Sequence, residues 1–368
     1  MKTFRFKFIH RTMLVLNMIA TLLFIVAAYS YLVSPSQCVF FSYLGLLFPF
    51  FLIMNFFFLI YWLLFRKWMR FFIAICSFLI CWKPLTSYAP INLFRPETPA
   101  ENIVKILSYN VMGFKYQDHT EEKPNPIIRY IIDSNADIVC LQEYMVGTSP
   151  NRMLYEGKIL KVMKMYPYYY HLPLVDYNRY TIGLAIFSKY PILKSRKVRY
   201  DSAFNGSTIH EIRVNGKNVH VINNHMESFK LTMRDRSKYT EFINNANTGT
   251  FDNLFETVHH KLGSAFHIRA EQAEVIAEEI QSLKNSTLIV CGDFNDTPIS
   301  YTYRTVRGSL KDAFEESGNG VGITYNQNFF WFRLDHILHS QNIKAYEATI
   351  GKVSFSDHYP VWCKVELK

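Results

Sequence analysis

The sequence predicts an all-α membrane region followed by an α/β domain whose sheet is mainly antiparallel. Three observations predict it. Residues 1–94 contain long uncharged apolar stretches and no Asp or Glu. From residue 103 onward, short apolar runs of strand length are interspersed with segments of helical spacing. Asn215-Gly216, between the runs Ile209–Val214 and Asn218–Ile222, is a two-residue hairpin signal, which a doubly wound parallel sheet does not use.

The membrane region comes first. Met13 to Val33 carries no charge and is long enough to cross a hydrocarbon core of about 30 Å. Val39 to Phe65 is a second, Phe-rich stretch. Phe71 to Trp82 is shorter, and it spans only by recruiting Trp68 and Met69 or the residues after Lys83. Three segments, at about 13–33, 39–65 and 68–83, argue against a cleaved signal peptide. Lys2, Arg5, Lys7 and Arg11 precede the first, and Arg66, Lys67 and Arg70 separate the second from the third. The positive-inside rule then places the N-terminus in the cytoplasm and, with three spans, the domain outside a bacterial cytoplasmic membrane, as a multi-pass protein; a re-entrant third segment would leave the domain in the cytoplasm. The proline-rich residues 84–102 (Pro84, Pro90, Pro96, Pro99) read as a linker, and 103–368 as the domain.

The net charge of +10 suggests a polyanion partner only until it is located. Eight basic residues lie in 1–94, which leaves 32 basic against 30 acidic residues elsewhere. The domain is near neutral, so bulk electrostatics neither demand nor exclude a polyanionic substrate. The six cysteines fall inside apolar runs, with no disulfide or zinc spacing, and read as small buried hydrophobes.

Within the domain, Ile103–Tyr109 reads as a strand ending at Asn110. Pro126–Asn135 has helical spacing with Pro near its start. Asp137–Leu141 is a buried strand ending at Gln142-Glu143. Gly183–Ser188 follows, then the hairpin, whose second strand ends at Asn223-Asn224-His225. A helix from about Ala265 to Leu283 leads to the strand Leu288–Cys291, which stops at Gly292 and presents Asp293 and Asn295. Strands Phe329–Leu338, through Asp335, and Pro360–Glu366, introduced by Ser356-Asp357-His358, complete the chain.

Asn110, Glu143, His225, Asp293, Asn295, Asp335, Asp357 and His358 therefore all fall at the ends of apolar runs. Phosphoester hydrolysis needs such a set. A hard cation takes carboxylate oxygens, for which Glu143 is suited. Asp293, helped by the amide of Asn295, could orient and deprotonate water. Protonated His225 and His358 would stabilise charge on the phosphoryl group, and buried Asp335 could hold a histidine charged. Each signal alone also fits a strand-end cap, a solvated acid or a turn.

Taken together, Leu107-Ser108-Tyr109-Asn110-Val111, Leu141-Gln142-Glu143, Gly183–Ile192, Asn223-Asn224-His225-Met226, Gly292-Asp293-Phe294-Asn295, Arg333-Leu334-Asp335-His336-Ile337 and Ser356–Val361 resemble, in kind and order, the endonuclease/exonuclease/phosphatase superfamily. The resemblance covers about residues 102–368. The whole chain looks like bacterial members with three N-terminal spans. It implies a four-layered α/β/β/α sandwich and a Mg²⁺- or Mn²⁺-dependent phosphoesterase. It also implies that Glu143 is the principal metal ligand, with Asn110 and Asp357 on the metal or phosphate side. Asp293 and Asn295 would position the attacking water, His225 would bind phosphate, and Asp335 and His358 would form an acid–histidine pair. No organic cofactor is implied, and no protein partner can be inferred. A histidine at 225 is similar to the deoxyribonuclease, sphingomyelinase and inositol-phosphatase branches and unlike the apurinic-endonuclease branch. The expected function is membrane-anchored phosphodiester or nucleic-acid cleavage. The alternatives are a phosphoesterase of lipid headgroups or inositol phosphates, and a non-catalytic binding domain on the same fold.

Other features are weaker. Tyr166–His171 reads as a packing strand before it reads as a base-stacking platform. His259, His260 and His267 read as a solvated helix or loop face, and Arg269 as a surface ion pair or a phosphate contact. Residues 228–264 read as an insertion without a decodable signal.

Overall fold

The structure, a computed structural model, describes residues 2–94, 97–99, 101–229, 248–327 and 330–367. Residues 230–247 of the 228–264 insertion lie outside the described residues. The part that is described, from residue 248, belongs to a long helix.

The N-terminal region is helical: α1 (Lys2–Ala28), α2 (Phe40–Leu46), α3 (Phe48–Leu64), α4 (Trp68–Ile80) and α5 (Trp82–Tyr88). Residues Lys7–Ala28 form one helix long and apolar enough to span a membrane, at 22 residues. The two later segments are not the straight helices expected at 39–65 and 68–83. Each is a bent pair, α2 with α3 at 58° and α4 with α5 at 64°. Pro49 at the first turn of α3 and Pro84 in α5 lie just beyond the breaks. A proline there removes an amide donor and obstructs the preceding turn, so the helix cannot continue straight. Polar side chains tie α1 to α3. Asn55 Nδ2 donates to the Ala20 carbonyl at 3.0 Å, and Trp62 Nε1 donates to Asn17 Oδ1 at 2.9 Å.

The proline-rich stretch is docked as well. Helix α5 takes up its start, and the Asn92 side chain donates to the carbonyls of Glu315 and Gly318. At this end of the bundle, Tyr43 Oη donates to the His259 carbonyl at 2.8 Å and Arg333 donates to the Ser87 carbonyl. Ile299 of the domain joins the apolar cluster of Phe24, Ala27, Leu44, Phe48 and Tyr88.

The domain runs β1 (Ile103–Asn110), α6 (Pro126–Ser134), β2 (Ile138–Gly147), α7 (Glu156–Val162), β3 (Tyr168–Asp176), β4 (Tyr180–Ser188), β5 (Ile192–Lys197), β6 (Gly206–Val214), β7 (Lys217–His225), α8 (Thr248–Ser282), β8 (Thr287–Asp293), α9 (Tyr301–Arg307), β9 (Lys311–Asp312), α10 (Ala313–Ser317), β10 (Tyr325–Gln327), β11 (Phe330–Phe332), β12 (Asp335–His339), β13 (Ile343–Ile350) and β14 (Val361–Leu367). One six-stranded sheet has the order β13-β14-β1-β2-β4-β3 and the other β5-β6-β7-β8-β12-β9. Pairing is antiparallel except for β1 with β2 and β7 with β8, so each sheet is mixed.

Strand periodicity builds the layers. Successive side chains point to opposite faces. In β1, Val104 and Ile106 enter the core between the sheets, while Leu107 and Tyr109 pack outward with Ile127 and Ile131 of α6. In β8, Ile289 and Cys291 face inward, while Leu288 and Val290 pack with Ala273 and Ile276 of α8. Three apolar cores thus separate four layers: helices, sheet, sheet, helices. Cys140, Cys291 and Cys363 lie in the central core as free thiols.

The expected strand Phe329–Leu338 is interrupted. Residues 330–332 pair with β10 in a separate hairpin, and β12 begins only at Asp335. Thr324 Oγ1 accepts from the amides of Leu334 and Asp335 at 2.9 and 3.1 Å, which turns the chain there.

His210 gives a pH test of the fold. It is buried, with one ring nitrogen 2.8 Å from Ser195 Oγ and the other 2.8 Å from Thr208 Oγ1. Burial pushes its pKa down from 6.5 to about 3. Between those values the unfolded chain binds a proton that the folded chain does not. Stability therefore falls as the pH is lowered through this window, by up to about 1.4 kcal/mol per pH unit from this group. His210→Gln is expected to flatten that slope, measured by chemical unfolding from pH 4 to 7.

Candidate active site

The site lies where the inner faces of both sheets change from apolar to polar at one level. Ser108 and Asn110 continue the inner face of Val104 and Ile106. Gln142 continues that of Ile138 and Cys140, Asn223 and His225 that of Val219 and Val221, and Asp293 that of Ile289 and Cys291. Asp335 shares a face with Ile337. Register joins them, because Asp293 stands opposite His225 on one side and Asp335 on the other.

Glu143 would point away if β2 were regular, since Val139 and Leu141 face outward. The pairing of β2 with β4 shifts between Leu141 and Tyr144, and Glu143 adopts φ +51°. This bulge turns its carboxylate inward. Asn110 Nδ2 donates to Glu143 Oε1 at 3.1 Å and to Asp293 Oδ2 at 3.1 Å. His225 Nε2 is 3.7 Å from Glu143 and 4.0 Å from Asp293. His358 Nδ1 is 2.8 Å from Asp335 Oδ2, and its Nε2 is 3.6 Å from Asp293 Oδ2. Ligand atoms of Asp293, Asp335 and His358 all lie within 4.8 Å of one another.

The turn after β8 fixes Asp293. Its Oδ1 accepts the Asn295 amide at 2.8 Å, while Asn295 Nδ2 reaches the Met226 carbonyl at 2.9 Å. This Asx turn leaves Oδ2 for the site. Gly292 makes the approach possible, because at φ +131° a Cβ would collide with the Asn224 backbone. Gly292→Ala is expected to cost on the order of 3 kcal/mol of stability, read from the unfolding midpoint.

The electrostatics follow from four carboxylates around two buried histidines. Burial raises Asp293 to about 6, with His358 opposing and Asp335 adding to the rise. Burial and the nearby Asp357 charge raise Glu143, against the Asn110 hydrogen bond. Burial lowers His358, but Asp335 and Asp293 outweigh it and hold the imidazole well above its ordinary value. His225 is lowered, chiefly by burial.

All eight expected residues are thus placed. Asn110, Glu143, His225, Asp293, Asp335 and His358 converge. Asn295 supports the turn from behind. Asp357 is half-buried beside them, and its Oδ1 accepts from Ser356 Oγ at 3.2 Å. Beneath the site lies a network that the motif reading missed. Gln142 Nε2 donates to Asn223 Oδ1 at 2.7 Å and to Ser108 Oγ at 3.2 Å. The same two-residue parity that marks Asn110 and His225 marks these three. Arg269 is no surface residue. It is fully buried, with Nε 3.3 Å from Asp296 Oδ2 and Nη1 donating to the Glu227 carbonyl at 2.8 Å. Its guanidinium packs against the Phe229 and Phe266 rings. His259 remains exposed, its ring stacked on Tyr43, and the side chain of His260 is outside the described residues.

The model of the Endonuclease/Exonuclease/phosphatase family matches residues 107–358. The chain belongs to this family. A second model, a domain of unknown function, matches residues 10–88. A search of curated protein sequences finds no match. Among solved structures, the domain is similar to the human Nocturnin catalytic domain with bound sulfate anion. The identity is 17% over 74% of this chain and 98% of that one, with a TM-score of 0.51. It is also similar to an endonuclease/exonuclease/phosphatase from Beutenbergia cavernae, at 14% identity over 73% of this chain and 72% of that one, with a TM-score of 0.50. At these identities the similarity speaks for the fold. The family and fold are those of phosphoesterases and nucleases, enzymes that hydrolyse phosphoester bonds.

Proposed function

We propose that the chain is a membrane-anchored, divalent-cation-dependent phosphoesterase, with Glu143, Asp293, Asp335, His225 and His358 as its working residues. The observation that carries this is the Asp335–His358–Asp293 array beside Glu143 and Asn110. The donor set fits a hard cation: it is rich in carboxylate oxygens, and the buried Asp335 Oδ1 has no hydrogen-bond partner. Glu143, with Asn110 and Asp357 around it, would hold Mg²⁺ or Mn²⁺. The bound cation supplies Lewis-acid polarisation of a phosphoryl oxygen.

The remaining work belongs to side chains. Asp293, with a pKa of about 6, is largely ionised at pH 7 and accepts the proton of the attacking water. Asn295 holds the turn that keeps Asp293 Oδ2 facing that water. His358, kept protonated by Asp335, donates from Nε2 to the phosphoryl oxygens as charge builds there. His225 lines the other side of the same space.

The membrane reading takes each bent helix pair as one span, three in all. It is supported by the positions of charge and contact. Lys7, Arg11, Lys67 and Arg70 gather at one end of the bundle, while the domain packs on the other through Tyr43, Ser87 and Ile299. With three spans and the basic end in the cytoplasm, this reading has the domain outside the cell. The arrangement also favours a second reading, hydrolysis of lipid headgroups. Ser30, Pro35 and Ser42 of the bundle lie beside Asp296 and Thr297, next to the turn that carries Asp293 and Asn295, so the site stands close to the bundle.

The test uses the full chain in detergent, because the bundle contacts the loops that carry Asp296 and Asp335. Hydrolysis is measured with Mg²⁺ or Mn²⁺, and then with chelator, on DNA, RNA, phospholipid micelles and inositol phosphates. Chelator-sensitive cleavage of one class names the substrate. No cleavage and no metal binding would favour a binding domain on this fold.

A further inference from the structure

We infer that the end of the helical bundle remote from the domain is a binding site for the phosphate of an anionic phospholipid headgroup. A cleft of about 390 Å³ opens there, lined by Lys7, Phe8, His10, Arg11, Lys67 and Arg70. The lining comes from two separate parts of the chain, the start of α1 and the junction of α3 with α4. Among the described residues no acidic side chain lines the cleft, and the first acidic residue in the sequence is Glu97. Four positive charges thus share one small concavity with no counter-charge among the described residues. Like charges held this close repel, and an anion in the cleft relieves the repulsion.

The cleft is also shaped in advance. Arg70 Nη1 donates to the His10 carbonyl at 2.9 Å, and its guanidinium sits 4.9 Å from the Trp62 ring centre. His10 Nδ1 is 2.9 Å from Tyr61 Oη. These contacts fix the back wall, while Lys7, Arg11 and Lys67 stay exposed at the rim. A planar guanidinium offers paired donors to phosphate oxygens, and flexible ammonium groups complete the shell.

The level of the cleft favours a lipid. The apolar span begins at Lys7 and is 22 residues long, about 33 Å of helix, so its first turn lies at the headgroup depth. Phe8 and Trp68 are exposed at the same level, where aromatic rings sit at a membrane interface. Basic pockets between transmembrane helices on the cytoplasmic side are suited to phospholipid headgroups. This inference rests on the proposed membrane anchoring and is independent of the catalytic reading.

The test is lipid retention by the full chain in a neutral detergent, read by native mass spectrometry. Phosphatidylglycerol, phosphatidylcholine and inorganic phosphate are the probes. The expected result is retention of phosphatidylglycerol over phosphatidylcholine. Arg11→Gln with Lys67→Gln should weaken that retention about 30-fold, at roughly fivefold per charge. Both residues are exposed, so the fold should survive, and Lys83→Gln at the opposite end should change nothing. Equal retention by the double variant, or equal retention of phosphatidylcholine, overturns the site. Displacement of the lipid by millimolar inorganic phosphate overturns the lipid assignment in favour of free phosphate. A chain that stays soluble without detergent defeats the anchoring reading, whereas lost lipid selectivity in a chain that still enters micelles defeats only the cleft.

Discussion

His358→Ala is expected to lower turnover by about 10²- to 10⁴-fold with little change in KM. The ring sits between two buried carboxylates, 2.8 Å from Asp335 and 3.6 Å from Asp293. Only a charged imidazole satisfies both. Its removal takes the donor that meets developing charge on the phosphoryl group, and it leaves two buried acids facing each other across a gap. The second effect should raise Asp293 further above its value of about 6, because its chief opposing charge is gone. The residual activity should therefore rise with pH over a range displaced upward from that of the wild type. Asp335→Asn should show little or no upward displacement, because Asp335 itself adds to the rise of Asp293 and its loss offsets the weakened imidazole charge. The measurement is a pH–rate profile of the full chain on whichever phosphoester it cleaves. Unchanged turnover in His358→Ala would remove this residue from the mechanism.

Glu143→Gln is expected to separate metal binding from folding. The carboxylate is brought to the site by a bulge and lies near Asn110, Asp357 and His225. Without a cation its charge is held close to other acids, so the neutral amide should leave the metal-free protein as stable as the wild type or more so. With Mg²⁺ or Mn²⁺ the order should reverse. The wild type gains stability from the bound ion and the variant does not. Metal affinity should fall by more than about 100-fold, since even supporting partners of a ligand are worth about 10- to 100-fold. Thermal unfolding with and without metal checks both halves. Equal metal-induced stabilisation in the two proteins would place the cation elsewhere, with the Asp293, Asp335 and His358 cluster as the next candidate.

The sequence by itself determined the strands that carry the site and the residues at their ends. Period-two alternation is local, so Asn110, His225 and Asp293 can be assigned to the inner face before any pairing is known. The same alternation, carried further, would have marked Ser108, Gln142 and Asn223. Motif order supplied the rest of the candidate site, including Asp335 and His358, whose partnership spans 23 residues.

Only the tertiary structure decided three things. Glu143 breaks the alternation, and only the shifted pairing with β4 shows that its carboxylate turns inward. Arg269 reads as a surface residue on a charged helix. It is buried because Asp296 and the Glu227 carbonyl, both distant in sequence, are brought to it. The apolar stretches at the N-terminus read as simple spans and a linker, yet Pro49 and Pro84 bend them and their far end packs onto the domain around Ile299. The physical reason is common to all three. Periodicity and propensity act over a few neighbouring residues, whereas a bulge, a buried ion pair and a docked helix end are settled by groups that meet only after the chain has folded.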